Sequence, residues 1–421
     1  MSSSAHRWAH LVPLIAVQAF GLACGLVSVR WSSALLPPDV LGLFGLLIST
    51  QLFGTTVTHQ GVIKHLQRAW TPDLPVRSYL RRLARAAVPA NLLLASGLTL
   101  FFALLKITTP GEFSFAWWPW LIAVNFAVVL AHLAHAAVQA EERYWAHFLI
   151  FAVGAATRSF LPLALAASCG LTVAMLGGGF FLHTVIWAAV GFYGVRAAWQ
   201  RQGAVAATPA DAPTPMITAF IGAGLCGWLG LTAPRLLAPL ILSPDDTGYF
   251  MLALNLAGVI PAAVCLIGLS YTFPPLLAAA RTGAHTAQLL ATTNRTVLNA
   301  LAIGQIALGL LAFSGPQLVG LIIDPRYTSS LQWLLAAGGG ILASVSHSFY
   351  GNLLIALNRE TMCFRLSAFS AGFRLTAMAA LAFTGHGEWF RLGLTLLPWP
   401  TAALEAWLVG RWVRVREQKH L

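Results

Sequence analysis

The sequence predicts an all-α polytopic membrane protein, with about twelve transmembrane helices in two six-helix lobes related by a parallel pseudo-two-fold repeat. Three observations carry that prediction: the composition, the spacing of the apolar runs, and an internal likeness between the two halves. Of 421 residues, 58% are hydrophobic and 9% charged, against about 25% charged in soluble domains. The mean hydropathy of +0.74 describes more apolar surface than one soluble core can hide, so much of it must face lipid.

The apolar runs are each near the ~20 residues a bilayer requires. Their centres fall at about 19, 50, 97, 128, 157, 184, 229, 260, 305, 343, 375 and 401. Pro234 and Pro239 interrupt the run around 229; prolines are tolerated in spans where neighbouring helices satisfy the freed carbonyls. "GLACG" around Cys24 resembles a lipoprotein cleavage site but lacks the aliphatic residue three positions earlier, so the first run is read as a helix. The five cysteines have no paired spacing, and neither a disulfide framework nor a metal site is expected.

Lysine and arginine set the orientation. With the N-terminus inside, the cytoplasmic segments hold 18 of them, the outer segments four and the spans three. That bias fits an even number of spans with both termini in the cytoplasm. The net charge of +12 is therefore a topology signal, and nucleic acid is not an expected partner. "GAGLCG" matches a dinucleotide fingerprint but lies in an apolar span with no βαβ context. No Walker A motif occurs, so ATP is not expected to act directly, and no cofactor is expected.

The Ala-, Pro- and Thr-rich stretch Gln200 to Met216 reads as a cytoplasmic linker. It separates a first lobe, residues 1–199, from a second, residues 217–421. Shifted by 216 residues, Arg143, Phe148, Ala155 and Arg158 fall on Arg359, Phe364, Ala371 and Arg374. Shifted by about 206, "PPDVLGLF" parallels "SPDDTGYF"; the acidic pair Asp245 and Asp246 there reads as a turn. Parallel repeats of this kind commonly hold substrate near the midplane, between the halves.

Several stretches resemble one family: "DVLGLFGLLISTQLFGTTVTHQGVIKHLQR" in the first half, then "GWLGLTAPRLLAPLILSPDDTGYFMLALNLAGVIPAAV", "FPPLLAAARTGAHTAQLLATTNR" and "LIIDPRYTSSLQWLL" in the second. They are similar to the Wzx-type polysaccharide and O-antigen flippases of the multidrug/oligosaccharidyl-lipid/polysaccharide (MOP) exporter superfamily. Where that family often carries an aspartate before the second-half arginine, this chain has Pro234. The resemblance implies a V-shaped pair of lobes working by alternating access in the bacterial inner membrane. Its cargo would be an undecaprenyl-pyrophosphate-linked oligosaccharide for O-antigen, lipopolysaccharide or other surface polysaccharide. A polymerase and a chain-length regulator of the same pathway would be its partners. A transporter is expected, not an enzyme.

The deep arginines are the candidate substrate-binding residues. An arginine at the bilayer centre costs about 2.5–3.5 kcal/mol on insertion scales and faces a cavity or a partner. At 1.5 Å per residue, Arg158 lies about 20 Å and Arg374 about 14 Å from the cytoplasmic face. A guanidinium fork matches phosphate oxygens, so Arg158 and Arg374, on either side of a cleft, would replace water around a diphosphate. Arg30 and Arg235 form a weaker outer pair. His59, His132, His135, His183, Gln51, Asn255 and Glu405 are candidate cavity or proton-relay groups, among further polar span residues that include His347. His132 and His135 share a helix face without an evident third ligand, so no metal is expected. Two other classes stay open. A superfamily exporter of small cations or metabolites would want acidic residues in its cleft, and a multi-span glycan polymerase or ligase would want a large outer loop.

Overall fold

The computed structural model describes residues 3–53, 143–200, 214–282, 285–382 and 387–418, with a few isolated positions besides. Among the described residues the chain is helical nearly throughout. In order come α1 (Ser3–Leu35), α2 (Pro38–Phe53), α3 (Tyr144–Cys169), α4 (Val173–Gln200), α5 (Thr214–Ile241), α6 (Pro244–Arg281) and α7 (Thr286–Phe313). Then follow α8 (Gly315–Ile322), a 3-10 turn (Pro325–Ser330), α9 (Leu331–Ala356), α10 (Glu360–Ala382), α11 (Gly387–Leu396) and α12 (Pro398–Gln418). Ten of the expected span centres lie in these helices; those at 97 and 128 fall outside the described residues. Among the described residues six segments are both long and apolar enough to cross a membrane, including Trp145–Cys169, Ala174–Gly194 and Ile221–Ile241. The protein is a multi-pass membrane protein.

Local chemistry explains the helix ends. Pro38 and Pro244 open α2 and α6, with Asp39 and with Asp245 and Asp246 in the first turns. Proline suits that position because its missing N–H would have no partner there, and the carboxylates suit the positive helix end. Ser243 Oγ accepts the Asp246 amide at 3.1 Å and donates to Asp246 Oδ2 at 2.7 Å. The acidic pair read as a turn is thus the capped first turn of a helix, and the repeated "PD" signature marks the same event in both halves. At the other end, α3 stops at Gly170, whose φ of 116° suits glycine alone. α9 gives way to α10 at Asn358, with φ 59°.

The chain divides into two compact units, Met1–Cys24 with Leu46–Trp228, and Gly25–Gly45 with Leu229–Leu421. The α1–α2 elbow, early in the sequence, therefore belongs with the second half of the chain. The helices α4 and α5 take up Gln200 and Thr214–Met216; residues 201–213 of the expected linker lie outside the described residues.

In the first unit α3 and α4 pack closely. A side chain at Gly179 would meet the Pro162 backbone, and one at Gly154 would meet the Trp187 indole at 2.6 Å. The Trp228 indole donates to the Ser49 carbonyl at 3.0 Å.

The second unit is organised around α9, most of whose residues are buried. Its Gly338 and Gly340 lie against Leu308 of α7 and the Leu394 carbonyl of α11. Small residues of this kind let helices approach where lipid supplies no hydrophobic drive between them. The α1–α2 elbow is tied into the same unit by side chains from the α8–α9 connection. Tyr327, fully buried, donates to the Leu36 carbonyl at 2.8 Å. Arg326 Nη2 donates to the Ser33 and Ala34 carbonyls at 3.0 and 2.8 Å, and Ser33 Oγ accepts the Asp324 amide at 3.0 Å. The Arg326 amide and guanidinium hold the Asp324 carboxyl below its ordinary range. Tyr327→Phe keeps the packing and strands a buried carbonyl. A loss of about 1–3 kcal/mol is expected, read as a lower thermal midpoint in detergent; an unchanged midpoint would mean that the bond contributes nothing.

Candidate functional site

Each unit carries a polar cluster around its deep arginine. The repeat places the two arginines on equivalent helices, α3 and α10, each preceded by an arginine that reaches a neighbouring helix. Arg143 Nη1 donates to the Gly194 carbonyl of α4 at 3.0 Å, and the Arg359 guanidinium lies 5.4 Å from the ring centre of Trp412 on α12. The first arginine of each pair thus ties the start of its helix to a neighbour, and the second lies well inside the helix.

In the first unit Arg158 is half-buried on α3, and among the described residues nothing hydrogen-bonds its guanidinium. Its charge acts on His183 of α4. His183 Nδ1 lies 2.8 Å from Thr157 Oγ1, while the imidazole stacks on Trp187 at 5.6 Å and 19°. His132 meets the same indole edge-on, at 4.5 Å and 74°. Since Thr157 already donates to the Val153 carbonyl at 2.6 Å, its oxygen is left to accept from His183 Nδ1. Three residues picked from the sequence, Arg158, His132 and His183, thus form one cluster, assembled by Thr157 and Trp187.

In the second unit Arg374 is 7% exposed. Nε and Nη2 donate to Thr401 Oγ1 of α12 at 3.2 and 2.9 Å, and Nη1 donates to Ser344 Oγ of α9 at 2.6 Å. Neutral hydroxyls that accept from a charged donor offset the cost of burial at about 1.5–3 kcal/mol each, yet leave the positive charge uncancelled. Arg374 and Ser344 line a cavity of about 40 Å³ together with Gly230, Pro234, Met378 and Leu394. Gly230 leaves room beside the guanidinium: a Cβ there would lie 4.0 Å from Nη1.

One carboxylate lies near. Glu405, 1% exposed and one helical turn beyond Thr401, acts electrostatically on Arg374. Its Oε1, however, is 2.9 Å from His347 Nδ1, and His347 Nε2 is 2.9 Å from Ser367 Oγ. Glu405 was singled out as an intramembrane acid, which needs a partner; that the partner is His347 follows only from the packing of α9 on α12.

The other candidates fare differently. Arg30 Nη1 donates to the Ile323 and Gly320 carbonyls at 2.8 and 3.4 Å, where the end of α8 leaves oxygens without amide partners. It fastens the α1–α2 elbow. Arg235 is buried in α5, 8% exposed. Asn255 is half-buried on α6, Gln51 lies on α2, and His59 and His135 fall outside the described residues. No group of three metal-ligating side chains occurs among the described residues.

Protein-family models and curated proteins yield no match to the chain. Solved structures do. An inward-facing multidrug resistance MATE family transporter of the MOP superfamily superposes with a TM-score of 0.62 over 96% of both chains, at 13% identity. The chain has the fold of the MOP-superfamily transporters. A MATE transporter from Vibrio cholerae aligns with a TM-score of 0.61 over 97% of this chain and 96% of its own, at 15% identity. A MOP-superfamily transporter from Pyrococcus furiosus, described as having a binding pocket of reverse polarity, aligns at 0.60 over 96% and 94%, at 14% identity. Thr157, Trp187, Ser344, Ser367 and Thr401 were not singled out in the sequence. The signal available was small hydroxyls at helical spacing within spans that also hold an unpaired charge.

Proposed function

We propose that the protein is an alternating-access transporter of the bacterial cytoplasmic membrane, with both termini inside, whose cargo is an anionic lipid-linked oligosaccharide carried on a diphosphate. The observation that carries this reading is Arg374, a buried guanidinium at membrane depth, held by two hydroxyls and open to a cavity. A diphosphate is prohibitively costly to desolvate without compensating charge, and a planar fork of donors suits its oxygens. Arg158 brings a second positive charge at the equivalent place in the other half. The transporters with this fold give the reading its mechanism by analogy of fold. The neighbour described as having a binding pocket of reverse polarity is a precedent for pockets of differing polarity on this scaffold.

A small cation or drug is the second reading, and Glu405 is the observation that favours it. Glu405 is the buried acid among the described residues, and its Oε1 is taken by His347; next to it Arg374 repels cations. The test replaces Arg158 and Arg374 by Gln, singly and together, in cells whose surface polysaccharide depends on this protein. Lipid-linked repeat units are expected to accumulate on the cytoplasmic leaflet while protein levels hold. Normal surface polysaccharide in the double variant would end the reading.

A further inference from the structure

The second polar centre of the C-terminal unit, His347 with Glu405, has work beyond filling space. We propose that this pair is a proton-binding site, and that its filling removes the negative charge facing Arg374 and so readies Arg374 for an anion. The inference rests on reading Arg374 as the anion-binding group, and it adds a regulator to that site.

Hydrogen accounting carries the first half. Ser367 Oγ donates to the Cys363 carbonyl at 2.9 Å and also lies 2.9 Å from His347 Nε2. A hydroxyl has one proton. With that proton on the Cys363 carbonyl, Ser367 can only accept from His347, so Nε2 carries a hydrogen. Nδ1 then meets Glu405 Oε1 at 2.9 Å, where two bare lone pairs would repel. In that state a second proton lies between them, on the ring or on the carboxyl, and the site is one proton richer than a neutral imidazole beside a carboxylate. The same heavy-atom positions also serve the pair without that proton, with the Ser367 hydroxyl donating to Nε2 and Nδ1–H facing the carboxylate, so the pair can gain or lose a proton in place.

Emptying it is a defined rearrangement. One proton leaves to water, and the ring keeps a single hydrogen on Nδ1, facing the carboxylate. Nε2 becomes an acceptor, and the Ser367 hydroxyl rotates from the Cys363 carbonyl onto it. Of the two, His347 is the more accessible member, its side chain 24% exposed against 2% for that of Glu405. Glu405 Oε2 is buried and has no partner among the described residues, so the carboxylate, once ionised, is poorly solvated and its charge is strongly felt nearby.

Charge carries the second half. The elements packed on α12 present few groups that titrate. From α9 come His347 and Tyr350, whose hydroxyl donates to Asn294 Oδ1 at 2.9 Å. From α10 come Arg374 and the buried Cys363, while Arg365 is exposed and Glu360 sits half-buried in the first turn. On α7 Arg295 is exposed, and on α11 Glu388 and Arg391 pair with each other. Glu405 acts electrostatically on both Arg374 and Tyr350. With the proton bound, Arg374 keeps a full positive charge; with it gone, Glu405 offsets that charge. An anion at Arg374 and a proton at the pair therefore strengthen each other's binding, and by linkage each raises the other's affinity by the same factor. Proton and anion occupy this unit together, not in alternation.

Two measurements on the purified full-length protein in phosphatidylcholine nanodiscs test this. The first is the infrared difference spectrum between acid and alkaline pH for the wild type, E405Q and H347Q. Bands present in the wild type and missing from both variants are expected; their presence in either variant, or absence from the wild type, overturns the proton site. The second is calorimetric titration with inorganic pyrophosphate in two buffers of different ionisation enthalpy. At alkaline pH, where the pair has lost its proton, the wild type is expected to take up as much as one proton more per anion bound than E405Q does, the ligand's own titration being common to both. Its affinity there is expected to fall with rising pH relative to E405Q, by up to about tenfold per pH unit, and R374Q is expected not to bind. Equal proton uptake in E405Q and wild type overturns the coupling and leaves Arg374 as an anion site. Binding that survives in R374Q overturns the role of Arg374, and the coupling with it, while the infrared result still decides the proton site.

Discussion

Arg374→Lys is expected to lower transport at least tenfold while leaving the protein folded, and Arg374→Gln to lower it further. The lysine keeps the charge but offers a compact ammonium in place of a fork. It cannot donate at once to Ser344 on α9 and Thr401 on α12, which Arg374 bridges with three hydrogen bonds. A tenfold loss corresponds to about 1.4 kcal/mol, no more than the value of one hydrogen bond to a charged group, about 1.5–3 kcal/mol. The measurement is the rate at which lipid-linked repeat units reach the outer leaflet, set against the thermal midpoint of each variant. Wild-type rates in the lysine variant would mean that positive charge alone matters and that the bridge between α9 and α12 does not. Parallel losses of rate and midpoint would assign Arg374 to the fold.

Gly248→Ala, at the start of α6 where it packs on the α1–α2 elbow, is expected to destabilise by about 3 kcal/mol or more. A Cβ there would run into the Pro38 backbone, inside van der Waals contact, and a carbonyl oxygen cannot step aside as a side-chain end can. Its counterpart in the repeat, Gly42, makes a useful control. A Cβ at Gly42 would lie 3.3 Å from Thr247 Cγ2 and 3.6 Å from the Gly248 amide nitrogen. Gly42→Ala should therefore cost about 1 kcal/mol, at the low end for overpacking. Thermal unfolding in detergent checks both, and equal midpoints for the two variants would contradict the close approach. The two glycines occupy equivalent positions of "PPDVLGLF" and "SPDDTGYF", so the repeat is a packing device: its two copies cross at their glycines.

That crossing shows where legibility from sequence stops. The signature shared by both elbows is readable because proline, aspartate and glycine each act locally, on their own helix start. Nothing local says that the first elbow, residues 25–45, is held by Tyr327, Arg326 and Ser33, almost 300 residues apart in part of that network. The same limit applies to Arg30. Its place near a span end was legible, whereas its bonds to the α8 carbonyls depend on where a distant helix ends. The first-unit cluster falls between these cases. Arg158, His132 and His183 are conspicuous in apolar spans, but Thr157 and Trp187, which join them, look like ordinary span residues until α3 and α4 are packed.

Composition, period and the bias of positive charge were enough to establish an all-helical membrane protein with an internal repeat and a matched arginine deep in each half. Those properties are sums over residues or patterns along one helix, and the bilayer acts on each span separately, so one-dimensional information suffices. The partners of each buried charge were set only by the tertiary structure. Arg374 draws its acceptors from α9 and α12 and its neighbouring carboxylate from one turn further along α12, and His347 rather than Arg374 takes that carboxylate. Hydrogen bonds act over about 3 Å, and which groups come that close depends on helix rotation and crossing, quantities that no single helix encodes.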